Sequence, residues 1–327
     1  MIGSKLVSIV LTTINGERFI QESIESCVSQ TYENIEIIVV DGGSTDGSVE
    51  IIQKCADHLA WWVTEPDAGQ AEAINKGFQR ATGEIVAWLN SDDMYAPGAI
   101  SDAVEFLDHH PEVGLVFGNA ASFNQDGVPL NEMRFTNWGL EGLVAFNIIC
   151  QPAVFFRRAV LEQAGYLDQH YHMMLDHQFW LRIARITNIQ HVPKLWAFAR
   201  HHADAKNVAQ APRFGEEAFH VFAWMQSQPD LAEIISQNEN IIMAMLHRFT
   251  ARYLLDGGLA WKSLQSYGRS LLYSPRIALQ EWHRILYSVL SVMGLSQLGE
   301  IYYHRQQKKL PESVLALGIE NIHQIYS

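Results

Sequence analysis

Cysteine is scarce in this chain: three residues among 327, Cys27, Cys55 and Cys150, and no CxxC pair. That excludes a disulfide framework or a zinc knuckle as the organising device and fits reduced, buried thiols in a cytoplasmic protein. Basic side chains are also few. The 23 lysines and arginines are outnumbered by 36 aspartates and glutamates, a net charge of −13. General nucleic-acid binders draw their affinity from cations on phosphates, so that class is excluded. Binding one nucleotide through a divalent cation stays open. No run is apolar for the length of a membrane span, and Met1-Ile-Gly-Ser-Lys5 leads into a strand-like stretch without a signal-peptide pattern. No GxGxxG follows the first apolar run, which removes a dinucleotide-binding dehydrogenase.

What is present is a foldable chain. Apolar residues make up 48% and charged ones 18%, and the length suits two domains. The first third alternates strand-like and helix-like segments. Leu6–Thr12, Ile35–Val40, Trp61–Thr64 and Ile85–Leu89 read as strands; Glu17–Gln30, a helix opened by Thr45-Asp-Gly, Gly69–Ala81 and Pro97–His109 read as helices. That alternation predicts an α/β fold, a central, mostly parallel sheet flanked by helices. Val113–Phe117 and Ala153–Phe156 read as further strands, and 176–186 as a helix. The long segment from Asn124 to Cys150 is of the kind that carries function. From about residue 205 the apolar spacing turns helical, with Ser274-Pro275 as a helix start. The expected division is an α/β domain over 1–205 and a helical C-terminal region over 206–327.

Ligands of open parallel sheets bind beyond the carboxyl ends of the strands. Three polar clusters fall there: Thr12-Thr-Ile-Asn-Gly16, Asp41-Gly-Gly-Ser-Thr-Asp-Gly47 and Asn90-Ser-Asp-Asp93. Asp41 ends an apolar strand, where its carboxylate either accepts an imide N–H, as in uracil, or caps its own turn through Ser44 or Thr45. The Asn90–Asp93 turn offers two adjacent carboxylates. One carboxylate plus substrate phosphates is the usual magnesium or manganese arrangement, and a solvated turn before Pro97 is the alternative.

These clusters together resemble the family 2 glycosyltransferases, with the GT-A fold, a Rossmann-like nucleotide-diphospho-sugar transferase architecture. The resemblance covers about residues 5–202 and rests on four blocks in order: Val7–Asn15, Gln30–Asp46, Glu65–Gly77 and Thr82–Asp93, the last holding the DxD-like motif. It implies an inverting enzyme moving a sugar from a nucleotide-diphosphate sugar, a UDP-sugar in the first instance, to a hydroxyl of a glycan or lipid-linked acceptor in polysaccharide or cell-envelope glycan synthesis. Asp41 would read the base, and Thr13 and Asn15 would touch the nucleoside. Asp67, Gln70 and Asn75 would flank the donor, with Asn90 and Ser91 beside it. Asp92, with Asp93 next to it, would hold a divalent cation, Mn2+ or Mg2+. One departure stands out: the first position of the triplet is Asn90, not aspartate. An asparagine still offers a carbonyl oxygen, but its neutrality weakens cation binding. Asp176, in Leu175-Asp-His-Gln-Phe-Trp-Leu-Arg182, fits the family's general base, Gln151 the acceptor side, and His202 a phosphate or metal contact. Trp61, Trp62 and Trp138 are candidate sugar platforms, though tryptophan is more often core.

The rivals are a sugar-phosphate nucleotidyltransferase, whose glycine-rich, arginine-containing loop after strand one is missing, and a catalytically inert nucleotide- or glycan-binding subunit, which Asn90 keeps open. Ile285–Leu295 is short and apolar, and Arg305–Lys309 is basic. Together they suit peripheral contact at the inner face of the plasma membrane, a buried helix or a homodimer face.

Overall fold

The computed structural model describes residues 5–295 and 297. The basic stretch Arg305–Lys309 therefore lies outside the described residues. The strands are β1 (Val7–Thr13), β2 (Ile35–Asp41), β3 (Trp61–Thr64), β4 (Ile85–Asn90), β5 (Met94–Tyr95), β6 (Val113–Asn124), β7 (Pro129–Met133), β8 (Val154–Arg157) and β9 (Asn188–His201). The helices of the first two-thirds are α1 (Ile20–Val28), α2 (Ser48–Lys54), α3 (Gln70–Arg80), α4 (Ala99–His109), α5 (Gly139–Val144), α6 (Arg158–Ala164) and α7 (Leu175–Ala184). Those of the last third are α8 (Lys206–Ala209), α9 (Ala211–Gln226), α10 (Pro229–Gln237), α11 (Glu239–Asp256), α12 (Ala260–Tyr273), α13 (Pro275–Ala278) and α14 (Trp282–Val292).

One sheet carries these strands in the order β3-β2-β1-β4-β8-β6-β9-β5, with β7 on β6. It is parallel over β3-β2-β1-β4 and antiparallel where β8 meets β4 and β6, where β7 meets β6 and where β5 meets β9. The α/β class and its flanking helices are as expected, with the parallel character confined to the half built by the alternating segments. β1 and β2 are buried on both faces along nearly their whole length, which is why they read as unbroken apolar runs. In this half the chain runs outward from β1 to β3, then returns to place β4 on the other side of β1. The reversal makes the β1/β4 boundary the topological switch point, and a crevice opens beyond the strand ends at such a point.

The helices lie close to the sheet because their sequences permit it. A Cβ on Gly77 would meet Val10 Cγ1 at 2.2 Å, so only glycine lets α3 rest on β1 at this distance. An aromatic cluster then joins α3, β4, β8 and α7: Phe78, Trp88, Phe156, Phe179 and Trp180, with the Trp88 and Trp180 rings stacked at 5.0 Å. Trp138 also has aromatic neighbours, Phe117 and Phe135, and the Arg80 guanidinium covers Trp61. Trp62 packs on the core cluster.

The chain divides into two compact units. One holds residues up to 139 and 149–200; the other holds 140–148 and the helical residues from His201 onward. The long segment before Cys150 thus contributes to both, and Phe146 packs on Phe249 within the second. Ser274-Pro275 does start a helix, but only the single turn of α13, and the Ser274 side chain makes no capping bond.

Candidate functional site

The register of the parallel strands brings the polar clusters into line. Thr13 pairs with Asp41, Asp41 with Thr64, and Thr12 with Asn90, so the carboxyl ends of β1, β2, β3 and β4 share one edge. The loops beyond are sewn together by side chains. Asn15 has φ +52°, a left-handed conformation that asparagine tolerates better than most residues. Its Oδ1 accepts the Thr45 N–H at 2.9 Å, and its own N–H donates to Ser44 Oγ at 2.7 Å. The Gly16 N–H donates to Ser48 Oγ, and the Gly47 N–H to Glu17 Oε2. Asn15 is spent in part on this bridge, and its Nδ2 remains at the exposed surface.

Asp41 is wholly buried. Its Oδ2 accepts the N–H groups of Gly43 and Ser44 at 3.2 and 3.0 Å, and its Oδ1 accepts the Ser44 hydroxyl. This is the capping alternative: Gly43 takes φ +87° so that the chain can turn over the carboxylate. A carboxylate has about four acceptor sites, so three local donors leave one. Asp67 lies over the same turn. A Cβ on Gly42 would meet its Oδ2 at 2.5 Å, and its Oδ1 accepts the Gly69 N–H at the start of α3. Thr13 Oγ1 is buried and has no hydrogen-bond partner among the described residues. An orphan hydroxyl of this kind costs roughly 1–3 kcal/mol. Only the missing Cβ of Gly16 leaves room for it and for Ser91 Oγ.

The Asn90–Asp93 turn is the most connected part of the edge. Asn90 Oδ1 accepts Gln70 Nε2 at 2.7 Å; Asn90 Nδ2 donates to Gln151 Oε1 at 3.2 Å and to Asp93 Oδ2 at 3.3 Å. Gln151 Nε2 in turn donates to the Trp88 carbonyl. The asparagine therefore acts as a junction between α3, the turn and the start of β8, and its carbonyl is already taken. Asp93 lies deeper than its neighbour. It is buried, and its Oδ1 accepts the Arg200 N–H at 3.1 Å. Burial, then the neighbouring Asp92 charge, raises its carboxyl well above the usual range. Asp93 thus points into the fold, and Asp92 is half-buried at the turn.

Arg200 holds this turn from behind. Its guanidinium is buried between the rings of Phe19 and Phe123, donates to the Asp92 carbonyl at 3.1 Å and pairs with Glu22. Ser23 adds bonds to the carbonyls of Ser91 and Asp93. Sequence reasoning passed over Arg200 and Ser23. The signal was one arginine ending the apolar run Trp196-Ala-Phe-Ala.

Asp176 lies in the first turn of α7, its Oδ1 accepting the His177 N–H. Phe179 and Trp180, one turn on, anchor the helix in the aromatic cluster. Burial foremost, then the charges of Asp93 and Asp176, pushes the Cys150 thiol up. Arg182 explains the arginine closing the segment: it donates to the carbonyls of Ala164 and Tyr166 and fixes the loop before α7.

Asn75 is turned toward the loop before α7. Its Nδ2 donates to the Leu167 carbonyl at 2.8 Å and its Oδ1 accepts the Leu167 N–H at 2.9 Å. Both ends of the amide are used, so Asn75 clamps the loop before α7 and is not free to touch a donor. His202 falls in the second unit, where its carbonyl accepts the Ala205 N–H. The fold thus brings together Thr13, Asn15, Asp41, Asp67, Gln70, Asn90, Ser91, Asp92 and Gln151. Among the described residues, no three histidine, cysteine, aspartate or glutamate side chains form a ready metal cage. One carboxylate at the turn is nonetheless the donor set that magnesium or manganese uses when substrate phosphates and water complete the shell.

Comparison with known proteins bears on the family and the fold. Residues 8–165 match the model of glycosyl transferase family 2. An uncharacterized glycosyltransferase of Rickettsia conorii is 28% identical over 61% of this chain and 34% of its own length. The chain thus spans about a third of that relative. Residues 1–349 of Staphylococcus aureus TarS, also solved in complex with UDP-GlcNAc, share the fold with TM-score 0.60, 18% identity and 92% of each chain covered. A Pyrobaculum calidifontis mannosyltransferase, in complex with GDP-Man and Mn2+, superposes with TM-score 0.58 at 21% identity, covering 89% of this chain and 87% of that one.

Proposed function

We propose that this chain, whose residues 8–165 match the model of glycosyl transferase family 2, is a member of that family and transfers a sugar, with inversion, from a nucleotide-diphosphate sugar to a hydroxyl of a glycan or lipid-linked acceptor. The observation that carries the proposal is the alignment of Thr13, Asp41 and Asn90 at the strand ends flanking the switch point. A UDP-sugar is the first donor to test, since a TarS structure holds UDP-GlcNAc. The exposed Nδ2 of Asn15 and the orphan Thr13 hydroxyl supply the nucleoside contacts. Asp41 accepts the imide N–H through its remaining acceptor site, once the Ser44 hydroxyl rotates away. Asp67 and Gln70 flank the donor on the other side.

Asp92 would hold a divalent cation, Mn2+ or Mg2+. When bound, that cation offsets the charge of the leaving diphosphate. Asp176 takes the proton of the acceptor hydroxyl. Its place in the first turn of α7 favours the ionised form, because the helix N-terminus is electropositive. Gln151 sits between the donor turn and β8, where the acceptor approaches.

The test is nucleotide release from UDP-, GDP- and dTDP-sugars with manganese and an acceptor mixture. Wild type should turn over one donor class. Asp92→Asn should lose metal-dependent turnover, and Asp176→Asn should lose transfer while still binding donor by thermal shift. Equal turnover by wild type and Asp92→Asn would remove the metal assignment. Loss of donor binding in Asp176→Asn would remove its role as base.

A further inference from the structure

The segment between β7 and α5 is tied to β6 and β9. The Phe135 N–H donates to Asn119 Oδ1 at 3.0 Å, and Asn137 Oδ1 accepts the His191 N–H at 3.3 Å. Strand register places this patch relative to the Asn90 turn. Val86 of β4 pairs with Phe156 of β8, and Phe156 with Leu115 of β6. Asn90 and Asn119 each lie four residues further on, in strands that run the same way. They therefore come level on one face of the sheet, two strands apart, at about 10 Å. Gln151, just before the strand between them, accepts from Asn90. Phe117, two residues before Asn119, shares that face.

Hydrogen bonds fix the chemistry of the patch. Asn119 Oδ1 also meets His191 Nε2 at 2.9 Å. A main-chain N–H already donates to that atom, so it is the amide oxygen, and Nε2 must carry the proton. Burial holds the imidazole below its ordinary value, so the ring is neutral and Nδ1 bears a lone pair. Among the described residues Nδ1 has no hydrogen-bond partner, and neither has Asn119 Nδ2 or the Trp138 indole N–H. Asn119 is only 9% exposed, and an amide so deep is ordinarily satisfied by protein, water or a ligand. Trp138 stacks on buried Phe117, ring centroids 6.3 Å and planes 30° apart, and meets Phe135 edge-on. His191 lies against Phe117 as well, at 5.3 Å. Trp138 and His191 are half-buried, packed on one side and open on the other. Arg134 alongside is paired with Glu132, so the patch itself carries no free charge. An aromatic face takes the C–H side of a pyranose, while N–H donors and a lone pair answer its hydroxyls. An anionic group would meet no cation there.

We propose that Trp138, Asn119 and His191 form an acceptor subsite that binds an uncharged sugar ring of the acceptor glycan, on the far side of Gln151 from the donor turn. Its role as acceptor subsite rests on the sugar transfer proposed above, but its binding of sugar can be measured without turnover.

The experiment is a saturation-transfer NMR titration of the full-length chain with the methyl glycosides of glucose, galactose, mannose and N-acetylglucosamine, alone and then with UDP and manganese. Wild type should bind at least one glycoside and keep it when UDP is added. Trp138→Ala should bind it at least about tenfold more weakly. Trp138→Phe keeps the stack on Phe117 but loses the N–H, and should bind about threefold more weakly. Should the alanine variant fold poorly, the phenylalanine variant makes the comparison alone. Trp61→Ala, at a tryptophan covered by Arg80, should bind like wild type. Wild type binding none of the glycosides overturns the proposal, as does displacement by UDP or wild-type affinity in both Trp138 variants. Nucleotide release from UDP-sugars is measured on the same proteins. A wild type that binds glycoside but releases no nucleotide would sink the transferase reading and leave a sugar-binding site.

Discussion

Replacing Asn90 by aspartate would restore the usual acidic first position of the motif, yet the structure predicts that Asn90→Asp weakens the protein. Asn90 Nδ2 donates to Asp93 Oδ2 at 3.3 Å and to Gln151 Oε1 at 3.2 Å. A carboxylate here turns both contacts into lone pairs facing lone pairs. Two full charges at that separation repel by about 5 kcal/mol at an effective dielectric constant of about 20. The pair escapes by keeping one proton, which Asp93 takes readily because burial and Asp92 already raise its carboxyl. Gln70 can still donate to the new side chain, and the site is half open to water, so the expected loss is about 2–3 kcal/mol.

The sign with pH follows. The folded variant would bind more protons than the unfolded chain, so its deficit should be small near pH 4 and grow as pH rises through the raised value of the pair. The assay is urea denaturation of wild type and Asn90→Asp at pH 5 and 7.5, without divalent cation and then with manganese. Manganese should recover part of the loss, because it neutralises the new charge. Equal stability of the two proteins at pH 7.5 without metal would refute the reasoning.

Three more predictions test the supports of the site. Arg200→Ala strands Glu22 and empties the space between Phe19 and Phe123; it should cost about 3 kcal/mol in urea and lower turnover, with Arg200→Lys intermediate because it keeps the charge but not the fork. Asn75→Ala removes both bonds to Leu167 and should cost about 2 kcal/mol, with donor affinity in a thermal-shift titration close to wild type. His247 is held down to about 4, by burial first and Arg269 second. Its contribution to stability is present above its ordinary value near 6.5 and is lost as pH falls from there toward 4, so His247→Gln should flatten the acid limb of a denaturation profile over that window.

Much of the parallel half was legible because its strands are buried on both faces and its helices on one. Such segments announce their period in the sequence. The antiparallel half was harder. β6 runs over 12 residues, past the expected Val113–Phe117, because pairing with β7 extends it through polar positions, and the 14-residue β9 has no counterpart among the expected strands. The expected helix at Glu17–Gln30 begins only at Ile20, since Asn15, Gly16 and Glu17 are held in the loop bridge to residues 44–48. Local propensity carries no information about that bridge.

At the site the division is similar. The sequence by itself determined that Asp41 and the Asn90–Asp93 turn follow the ends of apolar strands, because strand period depends on local residue choice. Only the tertiary structure decided what their side chains do. Asp92 and Asp93 are adjacent and chemically identical, and nothing local tells them apart. Arg200, more than a hundred residues later, takes Asp93 through its backbone N–H and leaves Asp92 half-buried at the turn. Asn75 and Asn90 are likewise both asparagines in motif blocks. One is consumed by Leu167 and the other ties Gln70, Gln151 and Asp93 together at the strand ends. Hydrogen-bond partners distant in sequence settle such roles, and the folded chain alone brings them within reach.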